Sequence, residues 1–323
     1  MDMSGIVSQN IAMGNQTIYT ELFLSGLSDL PALQLPLFLF FLLIYLLTLI
    51  GNFLIISLIV TDSHLHVPMY FFLGNLAGLD LCCSSVTAPQ MLFDLHTRRR
   101  MRTVTACMTQ VFFFMSFAGC EVFLLSTMSY DRYVAICQPL HYTQIMQWKV
   151  CAQLVSIVWC IGFTNSLVHT VYALKLKFCQ SQIIKNFFCD LPQLFQISCN
   201  DIYINIMLIF LFDGFLGVVS FIPILLSYIS IFKTVLKMQV KDNKTKVFST
   251  CTSHLTVVFI FYISVVLNYF TPGSSYHFTS YKVVSVFYTV ILPLLNPLIY
   301  SLRNQDFRVA FQNISRKIIS NLT

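Results

Sequence analysis

Charged side chains are scarce in this sequence: Asp, Glu, Lys and Arg make up 10% of its 323 residues, against roughly 25% in an average soluble protein. Hydrophobic residues account for 57% of the chain, and 31 of its residues are Phe. A soluble fold of this length would lack the polar surface that keeps a protein in solution. The composition therefore predicts that lipid is the main solvent of the chain.

Several sequence signals are also missing, and their absence argues against other classes of protein. The sequence has no H-E-x-x-H, G-x-S-x-G or P-loop motif, so we predict that it is not an enzyme. The apolar runs do not alternate with polar residues as membrane β-barrel strands do. No internal repeat is evident, which argues against a transporter, and no nucleic-acid partner is expected. Residues 1–32 lack the basic and short apolar regions of a cleaved signal peptide.

Long apolar runs are what the sequence does contain. Seven of them reach about 20 residues or more, the length that crosses a bilayer as a helix. We predict an all-α membrane protein with a seven-transmembrane helix bundle over residues 33–302, a preceding segment 1–32 and a tail 303–323. The predicted spans lie near residues 33–58, 67–92, 104–137, 149–172, 204–237, 247–270 and 281–302.

The cysteines indicate which face of the membrane is outside. Four of them fall on one predicted face: Cys107, Cys179, Cys189 and Cys199. Disulfides form outside the cytosol, so we expect the N-terminus to be extracellular. The glycosylation sequon at Asn15 lies on the same side. The distribution of Lys and Arg gives weaker support, because the basic run RRRMR at 98–102 also lies outside.

Three carboxylates lie within predicted spans, where an ionisable group is costly and marks function by default. Asp80 and Glu121 either share a cation such as Na⁺, or one of them holds a proton. Asp213 either faces the bundle cavity and meets a polar or cationic ligand, extends towards the membrane surface, or pairs within the protein. Helical periodicity places Glu121 on one stripe of the third span, between Phe114 and Arg132.

Two features predict a switch at the inner end of the bundle. The third span ends in MSYDRYVAICQPLHY, and we expect Asp131 and Arg132 to neutralise one another there in the resting state. The last span contains PLLNPLIY, in which Pro293 and Pro297 each remove a backbone hydrogen bond. We expect Asn296 to bond to the backbone groups that these prolines free, which would make a polar hinge.

A set of motifs extends over nearly the whole chain. It comprises Gly51-Asn52, PMYFFLGNLAGLD (68–80), Cys107, MSYDRYVAICQPLHY (128–142), Trp159, Ser227-Tyr228, KVFSTCTSHL (246–255) and PLLNPLIYSLRN (293–304). Together these residues resemble the odorant receptors of the rhodopsin-like, class A G-protein-coupled family. The stretch STCTSHL favours the tetrapod-type, class II branch. The sequence departs from the family pattern at Val67, Ser129, Val247 and the RRRMR run.

The resemblance implies roles for particular residues. Four cysteines alone allow three pairings, but the family pattern pairs Cys107 with Cys189 and Cys179 with Cys199. It also places a possible Na⁺ site at Asp80 and Glu121, with no cofactor required. The implied residues of the G-protein switch are Asp131, Arg132, Tyr133, Tyr228, Asn296, Pro297 and Tyr300.

The resemblance further implies a ligand pocket between spans three, five, six and seven. Helical spacing nominates twelve mostly apolar and aromatic residues, as suits small volatile molecules. They are Phe114, Met115, Ala118, Gly119, Phe212, Asp213, Leu216, Tyr262, Val266, Tyr269, Val286 and Thr289.

We therefore expect an odorant receptor of the plasma membrane, sited in the sensory cilia of olfactory neurons. A small volatile odorant would favour an outward swing of span six and so activate a stimulatory, olfactory-type heterotrimeric G protein, which raises cyclic AMP. Residues Arg303 to Ile319 are expected to form a short amphipathic helix on the lipid surface. The alternatives are a class A receptor for another small ligand or a multi-span transporter.

Overall fold

The computed structural model describes residues 11–13, 16–97, 99–179, 181–239, 241–270, 278–303, 307, 309, 310 and 312. This part of the chain contains seven helices that are long and apolar enough to cross a membrane, which confirms the predicted bundle. The helices, named spans one to seven, run over Pro31–Thr61, Pro68–Thr97, Val104–Cys137, Trp148–Ala173, Tyr203–Lys237, Lys241–Tyr269 and Phe278–Arg303.

Two disulfide bonds mark one end of the bundle, which we call the disulfide end. Cys107 at the start of span three bonds to Cys189, and Cys179 bonds to Cys199. Both pairings agree with the prediction from the resemblance. Cys179, Cys189 and Cys199 all lie in the segment between spans four and five, so this segment is fastened both to itself and to span three. It also contains a short helix, Leu191–Ile197.

A small β-sheet covers part of the disulfide end, which the purely helical prediction missed. The strands are β1 (Ile11–Met13), β2 (Gln16–Ile18), β3 (Glu21–Leu24), β4 (Met101–Thr103) and β5 (Ile183–Ile184). Strand β3 pairs antiparallel with β4 and parallel with β5, while β1 and β2 form a separate hairpin. The segment before span one is thus joined to two loops of the bundle.

The basic run after span two is built into this sheet. The guanidinium of Arg100, buried with 7% of its surface exposed, donates to the carbonyls of Ser25 and Ser28 and to the Asp29 carboxylate at 2.6–2.7 Å. Gly26 adopts a positive φ of 66°, and a Cβ atom there would lie 2.9 Å from the guanidinium carbon. A glycine is required because any side chain would displace Arg100.

Several short helical segments, most of them of π or 3₁₀ geometry, lie within the spans and in the loops between them. Residues Leu208–Asp213 of span five and Phe287–Ile291 of span seven are π-helical, a local widening that often occurs at functional sites. At the end opposite the disulfides, the loop after span one contains the 3₁₀ turn Ser63–Leu65. The loop after span three contains the turn Pro139–His141 and the single helical turn Tyr142–Ile145.

Spans two and three form the centre of the bundle, while span five faces outward. In the most apolar window of each helix, 56% of the residues of span two are buried, against 17% in span five. Span four packs closely on span three, since a Cβ atom added at Gly162 would lie 2.4 Å from Cys120 Sγ and 2.7 Å from the Ser116 carbonyl. The Ser166 hydroxyl donates to the Phe112 carbonyl at 2.5 Å. Because of these contacts, the face of span four that contains Gly162 and Ser166 packs against span three.

Candidate functional site

A cavity of about 1720 Å³ lies between spans three, five and six. It extends from Tyr269 near the disulfide end to Lys233 near the opposite end. The volume exceeds the roughly 300–1,000 Å³ of a small-molecule pocket, because the cavity continues into an outward-facing groove between spans five and six. The half nearer the disulfide end is lined by Met115, Ala118, Gly119, Asn165, Asp213, Leu216, Tyr262, Val266 and Tyr269.

A carboxylate and a histidine ring form a pair at the wall of this apolar cavity. Asp213 ends the π-helical stretch of span five, and its two carboxylate oxygens lie 3.0 and 2.9 Å from Nε2 of His169 in span four. The His169 side chain is 2% exposed and that of Asp213 is 20% exposed. Asp213 therefore both pairs within the protein and lines the cavity.

The loop between spans four and five closes the disulfide end through Asp190. This carboxylate accepts hydrogen bonds from Asn268 Nδ2, the Tyr269 hydroxyl, the Tyr288 hydroxyl and the Leu191 amide, at 2.8–3.0 Å. Burial raises the pKa of the Asp190 carboxyl above its ordinary value, while the donated hydrogen bonds act in the opposite direction. One loop residue thus joins the disulfide end of span six to the π-helical stretch of span seven.

Midway along the bundle, two carboxylates share an amide. Asn296 Nδ2 donates to both oxygens of Asp80 at 2.9 and 3.1 Å and lies 3.4 Å from Glu121 Oε1. All three side chains are buried, and Asn296 Oδ1 has no hydrogen-bond partner. Spans two, three and seven therefore meet at one polar cluster.

A residue of span one bonds to the backbone carbonyl that a proline leaves without a donor in span seven. Pro297 has no N–H to donate to the carbonyl of Pro293 four residues earlier, and Asn52 Nδ2 donates to that carbonyl at 3.0 Å. A Cβ atom at Gly51 would lie 3.3 Å from Pro297, so the pair Gly51-Asn52 fits against the kink. The expectation that Asn296 fills this role is wrong, because its amide is taken up by the carboxylates.

At the end opposite the disulfides, span three is tied to span six. The Arg132 guanidinium donates to the Thr250 carbonyl, and nearby the Tyr228 hydroxyl lies 2.8 Å from Nδ1 of His254. Asp131 accepts instead from the Tyr142 hydroxyl at 2.9 Å. Burial and this neighbouring carboxylate raise the pKa of Tyr142, so the phenol remains a donor.

The chain is homologous to a well-defined group of membrane proteins. A model of the family described as "Olfactory receptor" matches residues 41–318. Human (Homo sapiens) olfactory receptor 5B12 is 47% identical over 300 residues, which cover 93% of this chain and 96% of that protein. Mouse (Mus musculus) olfactory receptor 5AR1 is 44% identical over 303 residues, covering 94% of this chain and 98% of that protein.

The chain belongs to the olfactory receptor family. Members of this family are class A G-protein-coupled receptors, so the chain is an odorant receptor of this class and is not an enzyme. The seven spans of the receptor and its two disulfides fit this assignment.

Eight of the twelve predicted pocket residues of the receptor line the cavity, and four do not. Phe114 is covered by the rings of Phe188 and Tyr288, whose centroids lie 5.3 and 5.6 Å from its own. Phe212 lies on the outer side of span five and is 39% exposed. Thr289 is fully buried and donates to the Ser285 carbonyl at 2.7 Å, and Val286 packs into the core at the disulfide end. The sequence pattern could not show that the loop residue Phe188 covers Phe114.

The predicted neutralisation of Arg132 by Asp131 is wrong for this conformation. The two side chains do not form an ion pair in the part of the receptor that the structure describes, because Arg132 bonds to span six and Asp131 bonds to the loop after span three. Tyr133 accepts a hydrogen bond from Gln138 at 3.2 Å.

The Asn15 sequon and the side chain of Tyr300 lie outside the described residues, as does most of the predicted tail helix. Within that tail, Phe307 packs edge-on against Tyr70 at 5.2 Å.

Sequence reasoning missed several residues at these sites. Asp190 was not singled out, although it directly follows the disulfide-bonded Cys189. His169 and Asn165 lie four residues apart, hence on one face of span four, and that spacing could have been noticed. Tyr142 stands at the end of the quoted Asp131–Arg132 stretch, but nothing in the sequence indicates that its hydroxyl reaches Asp131.

Proposed function

We propose that the receptor lies in the plasma membrane of sensory cilia with its disulfide end outside the cell. There it binds small, mostly apolar odorants in the cavity between spans three, five and six. Binding activates a stimulatory, olfactory-type G protein at the opposite end and raises cyclic AMP. One observation carries the proposal: spans three and six line the apolar cavity and are also joined by the Arg132–Thr250 contact at the opposite end of the bundle.

The location of the odorant follows from the shape and chemistry of the cavity. Concave, largely apolar walls with a few polar groups are typical of small-molecule sites. The cavity touches Tyr262 of span six, whose hydroxyl lies 2.8 Å from Ser220 Oγ of span five. A ligand seated against Tyr262 would therefore act directly on the contact between these two spans.

Activation is a shift between two packings of span six. In the described packing, Arg132 of span three holds the Thr250 carbonyl, and Tyr228 of span five holds His254. An odorant that binds the outward-swung packing more tightly shifts the population by its difference in affinity. The outward swing breaks the Arg132–Thr250 bond and frees the guanidinium for a helix of the G protein in the opened groove.

The buried carboxylates suit a monovalent cation. Two carboxylates this close require a proton or a cation between them, and carboxylate and amide oxygens are ligands of hard cations. Asp80 and Glu121 would hold Na⁺, and the unpartnered Asn296 Oδ1 would complete the donor set if the amide rotated. A bound cation would neutralise the cluster and join spans two, three and seven.

The proposal is tested by expressing the receptor with an N-terminal epitope tag and measuring cyclic AMP across a diverse odorant panel. Antibody labelling of intact cells reports the orientation. We expect at least one odorant to raise cyclic AMP, and Arg132→Ala to abolish that response while surface labelling stays within about threefold of the wild type. A matched control is Lys149→Ala, whose site lies at the same end of the bundle and is exposed. Normal signalling by Arg132→Ala would refute the role of Arg132.

A further inference from the structure

Span four carries a buried polar face that the odorant-binding proposal does not yet use. Asn165 and His169 are 9% and 2% exposed, and they lie one helical turn apart. The close contact at Gly162 and the Ser166–Phe112 bond hold this face towards span three. Asn165 also lines the cavity.

The hydrogen-bonding capacity of the cavity is concentrated at one corner of its disulfide-end half. Among the described lining residues there, the hydroxyls of Tyr262 and Tyr269 are already bonded, to Ser220 and Asp190. Two groups remain. Asn165 Oδ1 is buried without a partner, and the Asp213 carboxylate receives only the single ring nitrogen of His169.

The Asp213 carboxylate accepts only, whereas the Asn165 side chain offers an acceptor at Oδ1 and a donor at Nδ2. An ionised carboxylate has about four lone-pair sites and donates nothing, and an amide oxygen accepts two hydrogen bonds. A buried acceptor without a partner costs free energy, which a ligand that supplies a donor recovers. The lining elsewhere in this half is apolar, with residues such as Met115, Leu216 and Val266.

We infer that the receptor selects apolar odorants that carry one hydrogen-bond donor, a hydroxyl or an amine, and that this group docks between Asn165 and Asp213. His169 is the positioning residue, because its ring fixes the carboxylate at the cavity wall. The apolar body of the ligand lies along span three against Met115 and Ala118. This inference rests on the proposed odorant function and adds the chemical class of the ligand.

Molecules without a donor are disfavoured at this corner. An ether, aldehyde or ketone oxygen can accept from Asn165 Nδ2, but it supplies no donor to the Asp213 carboxylate or to Asn165 Oδ1. Sites built to hydrogen-bond a ligand group reject analogues that lack it more strongly than apolar pockets reject a change in size. The ratio of potency between a donor-bearing molecule and its donor-free analogue is therefore the diagnostic quantity.

The test uses medium-chain primary alcohols and amines, each paired with the methyl ether and the aldehyde of the same carbon skeleton. Cyclic AMP potency in cells and ligand-induced thermal stabilisation of the purified full-length receptor are both measured. We expect alcohols and amines to exceed their donor-free partners by about tenfold in potency. Asp213→Asn and Asn165→Leu should each reduce that ratio severalfold, whereas the control Val266→Ala should weaken both members of a pair alike.

The outcomes separate this inference from the proposed function. Equal or greater stabilisation by the ethers, or a ratio unchanged in both corner variants despite wild-type surface levels, would overturn the inference. Failure of every member of the panel to stabilise the receptor would overturn it too. Stabilisation by alcohols and amines without any rise in cyclic AMP would contradict the proposed coupling and leave the ligand class intact.

Discussion

Replacement of Asp190 should loosen the disulfide end of the bundle. Its carboxylate, 2% exposed, accepts from Leu191, Asn268, Tyr269 and Tyr288. Asp190→Ala leaves these donors without their acceptor, and each unsatisfied buried donor costs about 1–3 kcal/mol. Water and rearrangement recover part of this cost, and removal of a buried charge returns its desolvation penalty.

The expected net loss for Asp190→Ala is about 2–4 kcal/mol, or a melting temperature lower by roughly 5–10 °C. Asp190→Asn retains the shape but turns one acceptor into a donor, so it should fall between alanine and the wild type. The assay is thermal unfolding of the solubilised receptor, followed by the loss of monodisperse protein. The matched control is Asp201→Asn in the same loop, where an exposed side chain bonds only to the nearby Tyr203 amide.

The same variants test what the Asp190 contacts do in signalling. Spans six and seven are both held by this carboxylate, so Asp190→Ala should also reduce odorant potency once surface levels are matched. A melting temperature for Asp190→Ala equal to that of Asp201→Asn would refute the reasoning, since it would mean that the four hydrogen bonds contribute nothing net.

Three further changes have defined outcomes. Asp80→Asn should weaken the effect of Na⁺ on basal cyclic AMP, and an unchanged Na⁺ response would count against the cation site. Asn52→Leu leaves the Pro293 carbonyl without a donor, so the melting temperature should fall by an amount corresponding to about 1–3 kcal/mol; a wild-type melting curve would contradict this. Gly162→Val, which places side-chain atoms into Cys120 and the Ser116 carbonyl, should lower surface display severalfold, whereas the exposed Ile157→Val should not.

The seven spans could be predicted from the sequence because each depends only on a long local run of apolar residues. Helical spacing within span three is equally local, and it correctly predicted that Met115, Ala118 and Gly119 line the cavity. The disulfides followed from family resemblance. The predictions of the spans and of the stripe, unlike that of the disulfides, do not depend on the paths of the loops.

Three of the failures depend on contacts with segments outside the spans. Phe114 lies on the predicted stripe but is covered by Phe188 of a loop, and Asp131 turns to Tyr142 in the loop after span three. Arg100 belongs to the basic run that was predicted to lie outside the membrane, and it is buried against the segment before span one. Helical periodicity predicts the side of a helix on which a side chain lies. It cannot show which loop residue packs against that side chain.

The central claim is that an odorant in the cavity releases span six from Arg132 at the other end of the bundle. It is tested most directly by measuring the distance between spin labels at the exposed positions Leu140 and Phe248, after Cys160→Ser removes the one exposed free cysteine among the described residues. The account predicts that an odorant that raises cyclic AMP lengthens this distance. An unchanged distance in receptor that activates the G protein would contradict it.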